Sequence, residues 1–460
     1  MGMLDKSAQS VLQIFKWFIL ATLVGIVVGI LDAAFLKLLD KALHLRSHIP
    51  LFYLPLPFAL YAIAILSRKV AKQHKDYSTD TIIQKINAYK SVSLVSTLKA
   101  FFLSIATMVA GGSAGKEAPC ADVGAGISTF LAQMLKMPVQ DQRKLMICGV
   151  SAGFAGVFGV PISGALFGLE VLWVGHIFYE VLFPALVAGI TAYQVTSLLG
   201  VNYIYHTLPF HPVLTELVFL KVVVAGLFFG LVSVLFIEIS KFARVVFRFI
   251  TTRTNLFWTC MIGGLLLVLI GFTVSPLYLG LGMPGIDGPL SGVTLESPFG
   301  FLYKILTTSI TLAAGGIGGI VTPIFFVGAQ AGAMLSGFLQ VDSATLAAIG
   351  LVAVLAGTAN TPLAASVMAI ELFGAGIAPY ATVACVISFL ITGRQSIYPH
   401  QRISMDSGKE LEHQDTRPHL MRRATDRKQY MPHQKALLNQ VKNSAKHYWP
   451  SSHKHKKIKK

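Results

Sequence analysis

One glycine-centred segment occurs twice in the chain. Its first copy runs Gly111-Gly112-Ser113-Ala114-Gly115-Lys116-Glu117-Ala118-Pro119 and ends Val123-Gly124-Ala125. The second lies 204 residues later, Gly315-Gly316-Ile317-Gly318-Gly319-Ile320-Val321-Thr322-Pro323, ending Val327-Gly328-Ala329. Both follow Gly-Gly-x-x-Gly-x-x-x-Pro-x-x-x-Val-Gly-Ala without a gap. Glycine-dense segments inside apolar sequence break helices, and a broken helix turns free backbone N–H groups toward an anion. Two such breaks in corresponding halves point to a transport site near the bilayer midplane. Small-residue helix packing is the plain alternative. The added proline and the charged Lys116-Glu117 pair favour a pore.

The surrounding composition requires a membrane. Of 460 residues, 54% are hydrophobic and 13% charged, with mean hydropathy +0.65, which excludes an ordinary soluble domain. Apolar runs fall at 11–38, 51–67, 93–111, 121–135, 145–175, 180–199, 215–240, 257–280, 300–335, 344–373 and 377–393. Some are shorter than the roughly 20 residues a straight span needs, and others are too long and contain Gly or Pro. Tilted, interrupted helices are therefore expected. No cleavable signal peptide is evident. Cys120, Cys148, Cys260 and Cys385 lie in apolar sequence without metal-ligand spacing and read as buried side chains, so neither a metal nor a cofactor is implied.

A second duplication accompanies the first. Gly149, Ala155, Gly156, Pro161 and Glu170 recur as Gly350, Ala356, Gly357, Pro362 and Glu371, 201 residues on. Two related halves, about 11–200 and 215–398, form a membrane domain over 1–400, followed by a basic tail over 401–460 that reads as disordered. The tail holds 15 Lys/Arg against 5 Asp/Glu. With the clusters Arg68, Lys69, Lys72, Lys75 and Lys241, Arg244, Arg248, Arg253, it places both termini on the cytoplasmic side, anionic lipid being its nearest partner rather than nucleic acid.

Glu117 is the charge that needs a reason. A carboxylate at membrane depth is costly. At a helix N-terminus it can be held by the same N–H groups that would bind an anion, as a tethered competitor released by protonation. Asp32, Asp122 and Glu238 sit in or beside apolar runs and pair across helices or face cavities. Trp17, Trp173 and Trp258 read as interface anchors, and His176 as interfacial.

At these residues the chain resembles the CLC family of chloride channels and chloride/proton exchangers. Gly115-Lys116-Glu117-Ala118-Pro119 is similar to the family's Gly-Lys/Arg-Glu-Gly/Ala-Pro motif, whose glutamate is the gate. Gly319-Ile320-Val321-Thr322-Pro323 resembles Gly-x-Phe-x-Pro, whose second and third residues offer N–H groups to the central anion. Tyr398 fits the late tyrosine that completes that site. The resemblance spans about 11–400 and implies an all-α membrane fold of two inverted halves with broken helices, a homodimer, and an anion pathway in each subunit. The implied anion ligands are Ser78, Glu117, Ala118, Ile320, Val321 and Tyr398, with Thr79 competing for the role of Ser78. Gly115, Lys116, Pro119, Gly319, Thr322 and Pro323 shape the pore.

Two departures matter. The family's Gly-Ser-Gly-Ile-Pro segment reads Tyr77-Ser78-Thr79-Asp80-Thr81, an ordinary cap for a helix over 80–89. The inner, proton-relaying glutamate of the exchangers aligns with Val171, which carries no proton, while the neighbouring Glu170, repeated as Glu371, reads as structural. The expectation is a chloride channel of the inner cell membrane gated by voltage or pH. Chloride/proton or fluoride/proton antiport is the alternative, and a polytopic membrane enzyme a remote one, since no nucleophile–base pair accompanies Glu117.

Overall fold

The computed structural model describes residues 3–70, 79–203, 216–293 and 296–403. Those residues carry sixteen α-helices, eight in each half. The first half contains α1 (Met3–Ser47), α2 (Leu56–Val70), α3 (Thr79–Asn87), α4 (Leu94–Val109), α5 (Glu117–Met134), α6 (Val139–Phe158), α7 (Pro161–Glu170) and α8 (Tyr179–Leu198). The second contains α9 (Glu216–Arg253), α10 (Leu256–Thr273), α11 (Pro284–Leu290), α12 (Gly300–Ala313), α13 (Val321–Leu339), α14 (Ser343–Ala359), α15 (Pro362–Phe373) and α16 (Ala378–Thr392). Two short strands, β1 (Trp173–Val174) and β2 (Arg402–Ile403), pair in parallel. Ser78, the tail beyond 403 and the side chains of Arg68, Lys69, Lys72 and Lys75 lie outside the described residues.

Among the described residues, six helices are long and apolar enough to cross a membrane. At 1.5 Å per residue α9 runs about 57 Å, so it tilts or projects, whereas the ten-residue α7 reaches about half a bilayer core. The long apolar runs divide where the sequence predicts trouble. The run 145–175 breaks at Gly159, which caps α6 at φ 74°, and restarts at Pro161, the first residue of α7. The equivalent break in 344–373 uses Asn360 at φ 55°, a residue that tolerates the left-handed region, followed by Pro362. Proline suits a helix start because its missing N–H is unpaired there anyway.

Small residues set the close packing. A methyl on Gly124 of α5 would strike the backbone of Gly149 in α6, and one on Gly328 of α13 would strike Gly350 in α14. These are repeat-equivalent crossings, so each glycine pair brings two helix backbones together. The result is a central layer of α5, α6, α13 and α14 in which most side chains are buried. Apolar residues on α1, α9 and α10, such as Phe15, Phe242 and Phe272, face outward.

The halves join through reciprocal bonds. Gly115 N donates to Gly319 O at 2.7 Å, and Gly319 N donates back to Gly115 O at 2.8 Å, an antiparallel bridge between equivalent residues. Ser113 N donates to Thr311 Oγ1 at 3.0 Å and Ile317 N to Thr107 Oγ1 at 3.1 Å. Such exchanges arise when equivalent segments of two related halves face each other across a local two-fold axis.

Candidate anion site at the two helix breaks

Both glycine breaks feed helix N-termini. Glu117 begins α5 and Val321 begins α13, each two residues before its proline. The Glu117 side chain does not stay over its own helix. Its Oε1 accepts a hydrogen bond from Val321 N at 2.6 Å. Its Oε2 accepts from Thr322 N at 3.3 Å and from Thr322 Oγ1 at 3.0 Å. The carboxylate thus sits on the N-terminus of α13, where unpaired amides and the helix dipole favour negative charge. The charge is 97% removed from solvent, since Glu117 is only 3% exposed, so these three donors replace water.

The glycines make room for it. A methyl at Gly319 or Gly115 would overlap the Glu117 carboxylate. Gly115 and Gly319 therefore serve twice, in the bridge and as the floor of the seat. Ala118, Ile320, Val321 and Thr322 are buried around it. Lys116 N approaches Thr322 Oγ1 at 3.4 Å, and its ammonium lies 5.6 Å from the Phe158 ring, within electrostatic reach of Glu117 and Asp287. Tyr398 is buried and lies within electrostatic reach of Glu117, Asp80 and Asp122. Thr79 is buried at the start of α3. Asp80, beside it, accepts from His400 N at 2.9 Å and pairs with the His400 ring at 2.5 Å, tying the segment after Tyr398 to α3.

The two repeated glutamates are not free. Glu170, at the end of α7, accepts from Leu363 N at 3.1 Å and Ala364 N at 2.8 Å. Glu371, in α15, accepts from Ile162 N at 2.8 Å and Ser163 N at 2.9 Å. Each carboxylate caps the other half's helix. Val171 is fully buried directly after α7. Among the described residues no cluster of His, Cys, Asp and Glu is arranged to hold a metal.

Lys304 escaped the sequence reading. It is fully buried in α12, donating to Gly280 O at 2.9 Å and Tyr278 O at 3.4 Å, 5.0 Å above the Phe326 ring. A lone lysine in an apolar run was the available signal. Asp32 lies beside the Cys120 thiol, Glu238 pairs with Lys241 at 2.8 Å, and all four cysteines are free and buried.

A family model described as voltage gated chloride channel matches residues 58–393. The chain belongs to that family, the CLC chloride channels and transporters. It is 36% identical over 405 residues to a chloride/fluoride channel protein of Pseudomonas syringae pv. tomato, covering 85% of this chain and 87% of the relative. A Methanocaldococcus jannaschii protein of uncharacterised function is 25% identical, covering 85% and 97%. Among solved structures, a CLC-type fluoride/proton antiporter aligns with TM-score 0.80 at 28% identity, covering 88% of this chain and all of that one. A slow cyanobacterial chloride/proton antiporter aligns with TM-score 0.71 at 20% identity, covering 83% and 96%, which bears on the fold alone. The chain is a multi-pass membrane protein of an anion-transporting family whose members are not enzymes.

Proposed function

We propose that this chain carries a halide across the cell membrane along a path that passes the N-termini of α5 and α13, with Glu117 as its gate. The observation that carries the reading is the Glu117 carboxylate on the amides of Val321 and Thr322. A carboxylate and a halide compete for one set of donors. While ionised Glu117 holds the seat, the path is closed; a neutral carboxyl loses the attraction and leaves the amides to an anion. Ile320, Val321 and Ala118 would supply backbone N–H groups, Tyr398 its hydroxyl, and Ser78 or Thr79 a further hydroxyl. Partial charges of this kind hold an anion weakly enough to release it.

A second reading concerns the ion and the mode. The Pseudomonas relative is named for chloride and fluoride, and the similar antiporter moves fluoride against protons. The altered Ser78 segment is compatible with either halide, so fluoride/proton exchange stands beside chloride conduction. Val171 removes the usual inner proton site and favours a channel unless another carboxylate serves. A homodimer with both termini cytoplasmic completes the proposal.

The test is efflux from liposomes holding the purified protein, loaded with chloride or fluoride and clamped with potassium and valinomycin, with external proton activity followed at the same time. Halide efflux that rises as pH falls is the expected result. Absence of efflux of both halides defeats the reading.

A further inference from the structure

Three buried carboxylates besides Glu117 lie in the helical core, and their surroundings differ. Glu170 is satisfied by two amides of α15. Asp32 of α1 turns to Cys120 and Gly156 on one side of α5. Asp122, two residues after Cys120 and so on the far side of that helix, is 4% exposed. Its Oδ1 has no hydrogen-bond partner among the described residues. Asp32 also leaves one oxygen, Oδ2, unpartnered among the described residues, with the Cys120 thiol beside it. An unpaired buried carboxylate oxygen is costly, and of the two only Asp122 lines the crevice beside the Glu117 turn.

Asp122 opens on a narrow crevice that it shares with Ser104, Ala118, Ile317 and Gly318. Ala118 stands one turn before Asp122 on the same helix face. Gly318 adjoins Gly319, the floor of the Glu117 seat. The crevice therefore joins Asp122 to the turn on which the gating carboxylate rests. Glu117, Tyr398 and, from α3, Lys85 are within electrostatic reach of Asp122. Lys85 and Asp80 are partly exposed, so α3 connects this buried acid to water. Among the described residues of the neighbouring helices, Lys99 of α4 is exposed, and in α6 Asp141, Arg143 and Lys144 engage Lys16, Tyr89 and Glu180.

We infer that Asp122 is a proton-relay residue between the α3 end of the crevice and Glu117, standing in for the carboxyl that Val171 lacks. The inference rests on the gate reading above. The crevice in this state is too narrow to hold a water; when it widens to admit one, the Asp122 O–H proton passes through that water to a Glu117 carboxylate oxygen. Asp122 is left as a carboxylate facing Lys85 and regains a proton from water at the α3 end. Neutral Glu117 leaves the amides of α13 and an anion takes its place. Proton delivery and anion entry thus become one exchange at a single set of donors.

The readout is the number of protons moved per halide in the liposome assay, which a purely structural acid does not set. In Asp122→Asn proton movement falls by about a hundredfold and the ratio collapses, the scale on which a positioned acid or base acts. Asp122→Glu restores the ratio, and Lys85→Gln, at a partly exposed site, slows proton movement without emptying the core. Halide flux from the parent protein with no proton movement overturns the relay and leaves the gate standing. An unchanged ratio in a folded Asp122→Asn protein, or in Lys85→Gln should the first variant not fold, also overturns it. Absence of all halide flux in the parent removes the gate and the relay together.

Discussion

At the scale of single residues the proposed gate is a contest between one carboxylate, which holds the amides of Val321 and Thr322, and one small anion. Glu117→Gln keeps the shape and removes the charge, so flux persists and its pH dependence is lost; efflux measured across a pH series checks this, and a Gln variant whose flux still falls with rising pH like the parent's sinks the gate. The sign follows from charge: acid neutralises Glu117 and opens the path, base restores the competitor. Gly319→Ala tests the seat from the other side. The methyl overlaps the carboxylate, so Glu117 is displaced and flux at neutral pH rises toward that of Glu117→Gln, by up to about thirtyfold for the loss of a charge-assisted bond worth about 2 kcal/mol; the same efflux assay reports it. The sequence exposed Glu117 because a charge inside glycine-rich apolar chain has few innocent explanations. It did not expose Lys304, whose carbonyl partners come from a loop some 24 residues away, nor did it single out Asp122 from Asp32.

At the scale of elements, the reciprocal caps fix how α7 and α15 meet. Glu371→Gln replaces two charge-assisted bonds at the start of α7 with weaker neutral ones, and Glu371→Ala leaves the part-buried Ser163 amide and the more exposed Ile162 amide without their acceptor. The expected loss is about 1 kcal/mol for Gln and about 2 kcal/mol for Ala, seen as a lower melting temperature in detergent with the Ala variant worse. Glu170 behaves alike in the opposite direction. Sequence indicated a structural role for this pair through its repetition, and the partner of each is the other half's helix start. Periodicity cannot reveal a contact between residues nearly 200 apart. Helix breaks were more legible, because Gly159-Val160-Pro161 and Asn360-Thr361-Pro362 are local stop and start signals. The helix after Ser78 begins at Thr79 and ends at Asn87, close to the expected 80–89, its last two residues lost where Tyr89 turns to φ 53°.

At the scale of the molecule, neither half completes its own glycine break. Gly115 needs Gly319, Ser113 needs Thr311, and Ile317 needs Thr107. A chain divided between α8 and α9 should therefore regain halide flux when both pieces are expressed together, whereas either piece alone should fail to accumulate; membrane yield and efflux from the co-expressed pair decide it. The inverted relation itself was beyond sequence, since offset alone is equal for tandem and inverted copies.

The pairing of Gly115 with Gly319 places the local two-fold axis through the seat of the gate. Perfect symmetry there would be self-defeating. A glutamate at 321 to match Glu117 would set two like charges on facing helix starts only a few ångströms apart, where they repel strongly once water is gone. The duplicated chain holds a charge in one copy and a valine in the other. A membrane protein built as two related answers to the same packing problem thus acquires a direction only where its copies disagree, and at the seat that disagreement sets Lys116, Glu117 and Ala118 against Ile320, Val321 and Thr322.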